Sequence, residues 1–325
     1  MFFLHGDASK HVPNTKWAYD QFFARRWIRQ ANQALLRSPE RTDQLDQASG
    51  VIVGASIGCM SIASINTRSI ADEIRAVRRA SRHPLAIFDL TDNAKPIYAG
   101  ADLYVCKSAF NKSTFDPNSS ISIPQFPRYQ FRDERPVIAS RRKFLFGFKG
   151  DLRENCTSLR RTLLSLNGCP CKYPGIVIGT TLMPENIFIR DNEAYEVTQA
   201  GTLPYSTVMQ NSTFALLPRG CGHALSSRFV EALALGCIPV IISDETVLPF
   251  SEVLEYENFA IVIPENKVLE LPDLLANHIQ NADRMQMNAL SAYRAYFAST
   301  EIIMSHTIKL LLQKVRWRNI ATEFS

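Results

Sequence analysis

No run of about 18 uninterrupted apolar residues occurs in the sequence, so no segment reads as a membrane-spanning helix. The apolar run at the amino terminus, Met1–Leu4, is too short for the core of a secretory signal. A metal-binding cysteine spacing is also missing, because Cys169-Pro-Cys171 is too tight for a zinc knuckle. The seven cysteines are odd in number, so full disulfide pairing would leave one over. There is no low-complexity tract and no short-period repeat. A concentrated basic stripe is absent, which argues against nucleic acid as a partner. The dinucleotide fingerprint Gly-x-Gly-x-x-Gly, with an acid about 20 residues on, is absent too, which argues against an NAD-type oxidoreductase. Gly54-Ala-Ser-Ile-Gly58 has the wrong spacing for it and reads as a tight turn.

What is present fits a globular protein. The 325 residues suffice for two domains, with 46% hydrophobic and 21% charged residues. The net charge of +5 favours acidic ligands such as nucleotide diphosphates or anionic glycans. Four sequons, beginning at Asn111, Asn118, Asn155 and Asn211, permit a secretory location without establishing one.

Strand and helix patterns alternate along the chain. Phe2–Leu4 reads as an edge strand, followed by a polar turn at His5–Asp7, and Trp17–Leu36 as an amphipathic helix. Val51–Val53, Pro84–Leu90 and Ala101–Ser108 read as strands, with a basic helix over Ser69–Arg82. Pro124, Pro127 and Pro136 mark a linker. Lys143–Gly150 then opens a second series. It continues with a helix over Ser158–Leu166, a strand over Gly175–Gly179, a polar loop over Met183–Gly201 and a short helix over Pro204–Met209. Thr213–Leu217, a Pro- and Gly-rich turn, a helix over Ser226–Gly236 and the strand Ile238–Ile242 form a βαβ unit with parallel strands. A strand over Phe259–Ile263 follows, then helices over Val268–Ile279, Asp283–Phe297 and Ser305–Trp317. This alternation predicts two Rossmann-like α/β domains joined near Arg128–Arg142.

Chemistry concentrates where strands end. In a parallel sheet ligands lie beyond the carboxyl ends of the strands, and Pro218–Arg228 falls there. Ser226 or Ser227 is a suitable N-cap, leaving N–H groups that attract an anion. Arg228 adds a planar charged fork suited to phosphate oxygens. Glu231 shares its helix face and suits a ribose diol; a plain Arg–Glu surface pair explains the same spacing. Lys149-Gly150 ends another strand, with Arg153, Arg160 and Arg161 following, and reads as a second cationic strand end or as a basic surface turn. Tyr205 offers a ring for stacking on a base or sugar, or belongs to the core.

The stretch Phe214-x-Leu216-x-Pro218-x-Gly220, then Ser226-x-Arg228-x-x-Glu231-Ala232, then Gly236-Cys237-Ile238-Pro239-Val240 and Leu248-Pro249-Phe250, resembles the signature of the exostosin-type glycosyltransferases. Arg41, Thr42, Asp46 and Ala48, the Ile123-Pro124-Gln125-Phe126 segment and Phe148-Lys149-Gly150 resemble further family segments. The resemblance implies the GT-B arrangement, two Rossmann-like domains facing across a cleft. Residues 1–130 would form an acceptor-side lobe, abbreviated here, residues 143–300 a nucleotide-sugar lobe, and residues 301–325 a terminal helix packing back toward the first lobe. It also implies inverting transfer of a sugar from a nucleotide donor, UDP-linked, to a glycan or glycoconjugate hydroxyl. No metal or other cofactor is required on that reading.

By the same resemblance Lys149, Arg153, Arg160, Tyr205, Arg219, Ser226, Ser227, Arg228 and Glu231 would bind the donor. His5, Asp7, Asp89, Asp92 and His223 are all candidates for the acceptor base, and none is singled out. Asp89 and Asp92 do not form the Asp-x-Asp metal motif of the other large glycosyltransferase fold. The loop Cys221–Leu225 between Gly220 and Ser226 departs from the Arg-rich or Trp/Pro-containing loops of many relatives. The family further implies a Golgi lumenal setting and admits association with itself or with another glycosyltransferase. Since no anchor is read here, a trimmed lumenal part or a soluble relative is expected. A non-catalytic relative that binds nucleotide or glycan and supports a partner enzyme is the alternative.

Overall fold

The computed structural model describes residues 1–5, 18–57, 67–89, 103–125, 127, 136–151, 158–167, 175–180, 187–190, 193–196, 203–220 and 225–323. Asp7, Asp92, Arg153 and His223 lie outside the described residues. The chain divides into two units. The first comprises Met1–Pro124, Val247–Phe250 and Ser299–Ser325; the second comprises Gln125–Thr246 and Ser251–Ala298. Among the described residues no helix is long and apolar enough to cross a membrane.

The first unit is built on a parallel sheet of β1 (Phe2–His5), β2 (Arg41–Thr42), β3 (Gly50–Ile57), β4 (Leu85–Asp89), β5 (Leu103–Lys107) and β6 (Ser120–Ser122). The order is β2-β1-β3-β4-β5-β6. β4 and β5 are buried at every residue, as continuous apolar runs covered on both faces should be. In helix α2 (Thr67–Ala80), Ile74 and Val77 stand three residues apart and pack on Val51, Val53, Leu85, Ile87, Leu103 and Val105, while Arg75, Arg78 and Arg79 stay exposed. Helix α8 (Thr300–Glu323) lies against α1 (Ala18–Leu36) and β6. Val247–Phe250 is tied into this unit: the Val247 amide donates to Phe110 (3.1 Å), the Phe250 amide to Ser122 (2.9 Å), and Ser122 Oγ to Val247 (3.0 Å). Phe250 adopts φ +53, an uncommon conformation for a bulky residue, with its ring fully buried near His306.

Two expectations change here. β1 is not an edge strand, since β2 and β3 pair with it on either side. Gly54 does not open a tight turn, because β3 runs on to Ile57. Its register against β4 shifts between Ile52 and Ser56, so the irregularity sits inside the strand.

The second unit holds a parallel sheet of β7 (Phe144–Asp151), β8 (Ile176–Thr180), β11 (Ser212–Pro218), β12 (Ile238–Ile242) and β13 (Ile261–Ile263), in the order β13-β12-β11-β7-β8. Residues 183–201, expected as a loop, contain an antiparallel hairpin of β9 (Ile187–Arg190) and β10 (Glu193–Glu196). On one face of the main sheet Phe146, Phe148, Phe214, Leu216 and Val240 meet α3 (Ser158–Thr162), α6 (Leu271–His278) and Met285 of α7 (Ala282–Ala292). On the other, Ala215 packs with Tyr205 and Met209 of α4 (Tyr205–Gln210) and with Ala232 of α5 (Arg228–Ala234).

Polar side chains close this unit where the linker enters it. Arg142 donates to the carbonyls of Val137 (3.0 Å), Ser212 (2.8 Å) and Leu235 (2.8 Å), gathering the start of β11 and the end of α5. Gln286 accepts from the Ala139 amide (2.9 Å) and donates to Val137 (2.8 Å) and Gly236 (2.9 Å). Gly236, expected as the last helix residue, lies just beyond α5. It ends α5 at φ +63, and a Cβ there would stand 2.8 Å from Pro136.

Candidate functional site

β7 and β11 are neighbours, but their onward connections run to opposite sides of the sheet: β7 leads to β8, and β11 to β12. Connections that diverge in this way open a crevice at the carboxyl ends of the two strands, the usual ligand position in open α/β sheets. Lys149 and Gly150 lie near the end of β7, and Pro218, Arg219 and Gly220 at the end of β11.

Arg228 begins α5 and is half-buried. Its guanidinium lies 5.7 Å from the centroid of the Phe148 ring, a cation–π contact. It also crosses the backbone of β7, because a Cβ at Gly150 would stand 2.7 Å from Nη2 and 3.1 Å from Cζ of Arg228. Among the described residues no carboxylate is ion-paired with Arg228. A permanently charged fork thus sits at the crevice with polar edges available to an anion.

The other expected residues take more enclosed positions. Lys149 is buried and donates to the Leu203 carbonyl at 2.7 Å, just before α4. Arg160 is buried on α3. Arg219 pairs through Nε with Glu265, both side chains about one-fifth exposed. Ser226 is half-buried and Ser227 buried. Ser227 already has helical angles, φ −50 and ψ −23, and makes no side-chain cap; its amide donates to Gln125 Oε1 at 3.2 Å. With α5 only seven residues long, the helix start is a weaker anion attractor than expected. The fork of Arg228 is the stronger feature.

Glu231 and Tyr205 do not face the crevice as free ligands. Glu231 is 1% exposed and accepts a hydrogen bond from the Tyr205 hydroxyl at 2.9 Å. Burial is the main reason the Tyr205 phenol is held well above its usual range. The charge of Glu231 adds to it, while that of Arg228 acts the other way. Tyr205 is therefore a neutral donor at every ordinary pH. Its ring belongs to the cluster with Met209, Ala215 and Ala232 rather than being offered for stacking.

In the first unit Asp89 and Lys107 stand opposite each other at the ends of β4 and β5, 3.0 Å apart and both fully buried. Asp89 is thus an ion-paired carboxylate, not an open base. Among the described residues no group of three or more His, Cys, Asp or Glu is placed to hold a metal ion. Sequence reasoning missed Phe148, Gly150, Gln125 and Glu265 as partners of the crevice residues. The motif Phe148-Lys149-Gly150 carried the signal for two of them, but only its cation drew attention.

Comparison with known proteins shows the family. The model of the Exostosin GT47 domain matches residues 81–278, well over half of the chain and including β7, β11, α5 and β12. The chain is 29% identical over 228 residues to the Exostosin-1 homolog of Caenorhabditis elegans, covering 65% of this chain and 58% of that protein. It is 28% identical over 275 residues to Exostosin-1 of Bos taurus, covering 77% of this chain and 35% of that protein. The match therefore spans between a third and three-fifths of these relatives' own lengths. Among solved structures, a sucrose-phosphate synthase from Thermosynechococcus elongatus is similar at TM-score 0.49 with 11% identity, covering 96% of this chain and 98% of that one. The chain belongs to the exostosin GT47 family of glycosyltransferases.

Proposed function

We propose that the chain transfers a glycosyl group from a UDP-sugar to a glycan hydroxyl with inversion, in the Golgi lumen. The observation that carries this reading is the Arg228 fork at the crevice between β7 and β11. In the transfer, the bond from the anomeric carbon to the diphosphate oxygen breaks. That oxygen keeps the electron pair, while the acceptor oxygen attacks from the opposite face and loses its proton. Negative charge grows on the departing diphosphate, and a fixed guanidinium stabilises it most where water is partly excluded. Arg219 stands at the end of β11 with its charge shared with Glu265, and Lys149 holds the segment that precedes α4. On this reading protein cations supply the charge that a metal ion supplies elsewhere.

Calorimetric titration with UDP tests the donor half. Wild type is expected to bind, and Arg228→Ala to weaken binding by about 1–3 kcal/mol, the worth of a charge-assisted hydrogen bond. No binding, or binding unchanged in the variant, overturns the assignment. A second reading, nucleotide binding without transfer in support of a partner enzyme, draws on the closed Asp89–Lys107 pair, which removes one candidate base. A donor-hydrolysis screen over several UDP-sugars separates the two.

A further inference from the structure

Three glycines of the second unit stand where a side chain has no room, for different reasons. At Gly147 an added Cβ would meet Ser212 at 2.1 Å, and at Gly175 it would meet the Phe146 ring at 2.0 Å. Those are demands of the core. At Gly150 it would meet the tip of Arg228 at 2.7 Å and the edge of the Phe148 ring at 2.8 Å. Gly150 lies within β7 and its φ is outside the left-handed region, so its backbone accepts an L-residue. What the position excludes is volume.

We infer that Gly150 is a positioning residue of the donor site: its missing side chain lets the Arg228 guanidinium lie across the end of β7, seated on the Phe148 ring. Three features meet at one point. The ring attracts the cation, 5.7 Å from its centroid. The bare backbone at Gly150 leaves the guanidinium the space that a Cβ would fill. The switch between β7 and β11 places the seat where a ligand of this sheet enters. A Cβ at 150 forces the flexible tip of Arg228 to move and presses on the edge of the buried Phe148 ring. It displaces the planar fork, and bidentate recognition of phosphate oxygens depends on orientation. A misplacement of about 1 Å in such a group costs far more in function than in stability. This inference rests on the UDP-donor reading and adds the residues that fix the geometry of its cation.

The test uses the full chain and UDP as the probe, with Gly150→Ala, Arg228→Ala and the double variant, each checked for its thermal midpoint. Gly150→Ala is expected to weaken UDP binding about tenfold while its midpoint stays within about 4 °C of wild type. With a turnover assay, the donor KM rises and the acceptor KM does not. In the Arg228→Ala background, Gly150→Ala is expected to add less than about twofold, because coupled residues are not additive. Should Gly150→Ala lose its folding transition, Phe148→Leu replaces it, keeping an apolar side chain in the core and removing the ring face, with a loss of about threefold. Equal losses from Gly150→Ala with and without Arg228 overturn the inference, as does an unchanged affinity. If wild type fails to bind UDP, or Arg228→Ala binds as wild type does, the donor reading falls and the inference with it. If Arg228→Ala weakens binding and Gly150→Ala does not, the inference alone fails.

Discussion

At the strand ends of the first unit, Asp89 and Lys107 face each other 3.0 Å apart with no exposure to solvent. At the strand ends of the second, Arg228 lies half-exposed over Phe148, and the buried carboxylate below it, Glu231, takes its hydrogen bond from the neutral Tyr205. The two sheets follow the same order counted within each unit, so topology does not separate them. The pairing of charge does. A buried ion pair spends its attraction on the desolvation of its own two members and has little left for a ligand. Arg228, by contrast, is ion-paired with no carboxylate among the described residues. One sheet end is electrostatically closed, and the other presents positive charge to whatever enters its crevice.

Breaking the closed end is expected to give the largest effect. Lys107→Met removes the ion-pair partner of Asp89 in the core of the first unit and is expected to cost about 3–5 kcal/mol by denaturant unfolding. Replacing both members by apolar residues recovers part of that. A costless single variant would show that the pair is not closed in solution. The open end is sharpened by ligand linkage. UDP at a hundred times its dissociation constant is expected to stabilise by about 2.7 kcal/mol. Slowed amide exchange should be confined to the second unit, in β7, β11 and α5; slowing in β4 and β5 instead would erase the contrast.

Tyr205→Phe removes the donor to Glu231 and is expected to cost about 1–3 kcal/mol of stability at neutral pH. The smallest effect appears in alkali. Burial raises the Tyr205 and Tyr256 phenols well above 10.0, so the folded state keeps protons that the unfolded chain releases. Their contribution is complete below about pH 10 and falls as pH climbs from there toward the folded values, by up to about 1.4 kcal/mol per pH unit for each phenol. Urea midpoints measured between pH 9 and pH 11 should fall less steeply in either Phe variant.

How much of this was legible depended on whether a feature is local in the chain. The strand–turn–helix–strand over Thr213–Ile242 could be read because its pieces follow one another, and Lys149 and Arg228 because each stands at the end of a βα step. Strand neighbours are set by tertiary pairing, so β1 passed for an edge although two strands flank it. Glu231 passed for a partner on the face of Arg228 because the two are three apart. A seven-residue helix packed on one side by Tyr205 and Ala215 and on the other by Tyr256 and Phe297 buries everything between Arg228 and Ala234, Glu231 included. Gln286 and Arg142 gave no sequence signal: the carbonyls they collect are up to 149 residues away. Gly150 was visible only as part of a motif, since the volume it leaves empty is defined by Arg228, 78 positions later.

The terminal helix α8 belongs to the unit that begins with β1, and so does Val247–Phe250. During synthesis, which adds about 5–20 residues each second, domains ordinarily fold in the order they emerge. Here the order is inverted. All strands and helices of the second unit have left the ribosome once Ala298 is clear, whereas α1 and β6 of the first unit wait for α8 to pack on them. The first unit is therefore completed only after the second has been made in full, although α2 already covers Val51, Val53, Leu85 and Ile87 of its sheet.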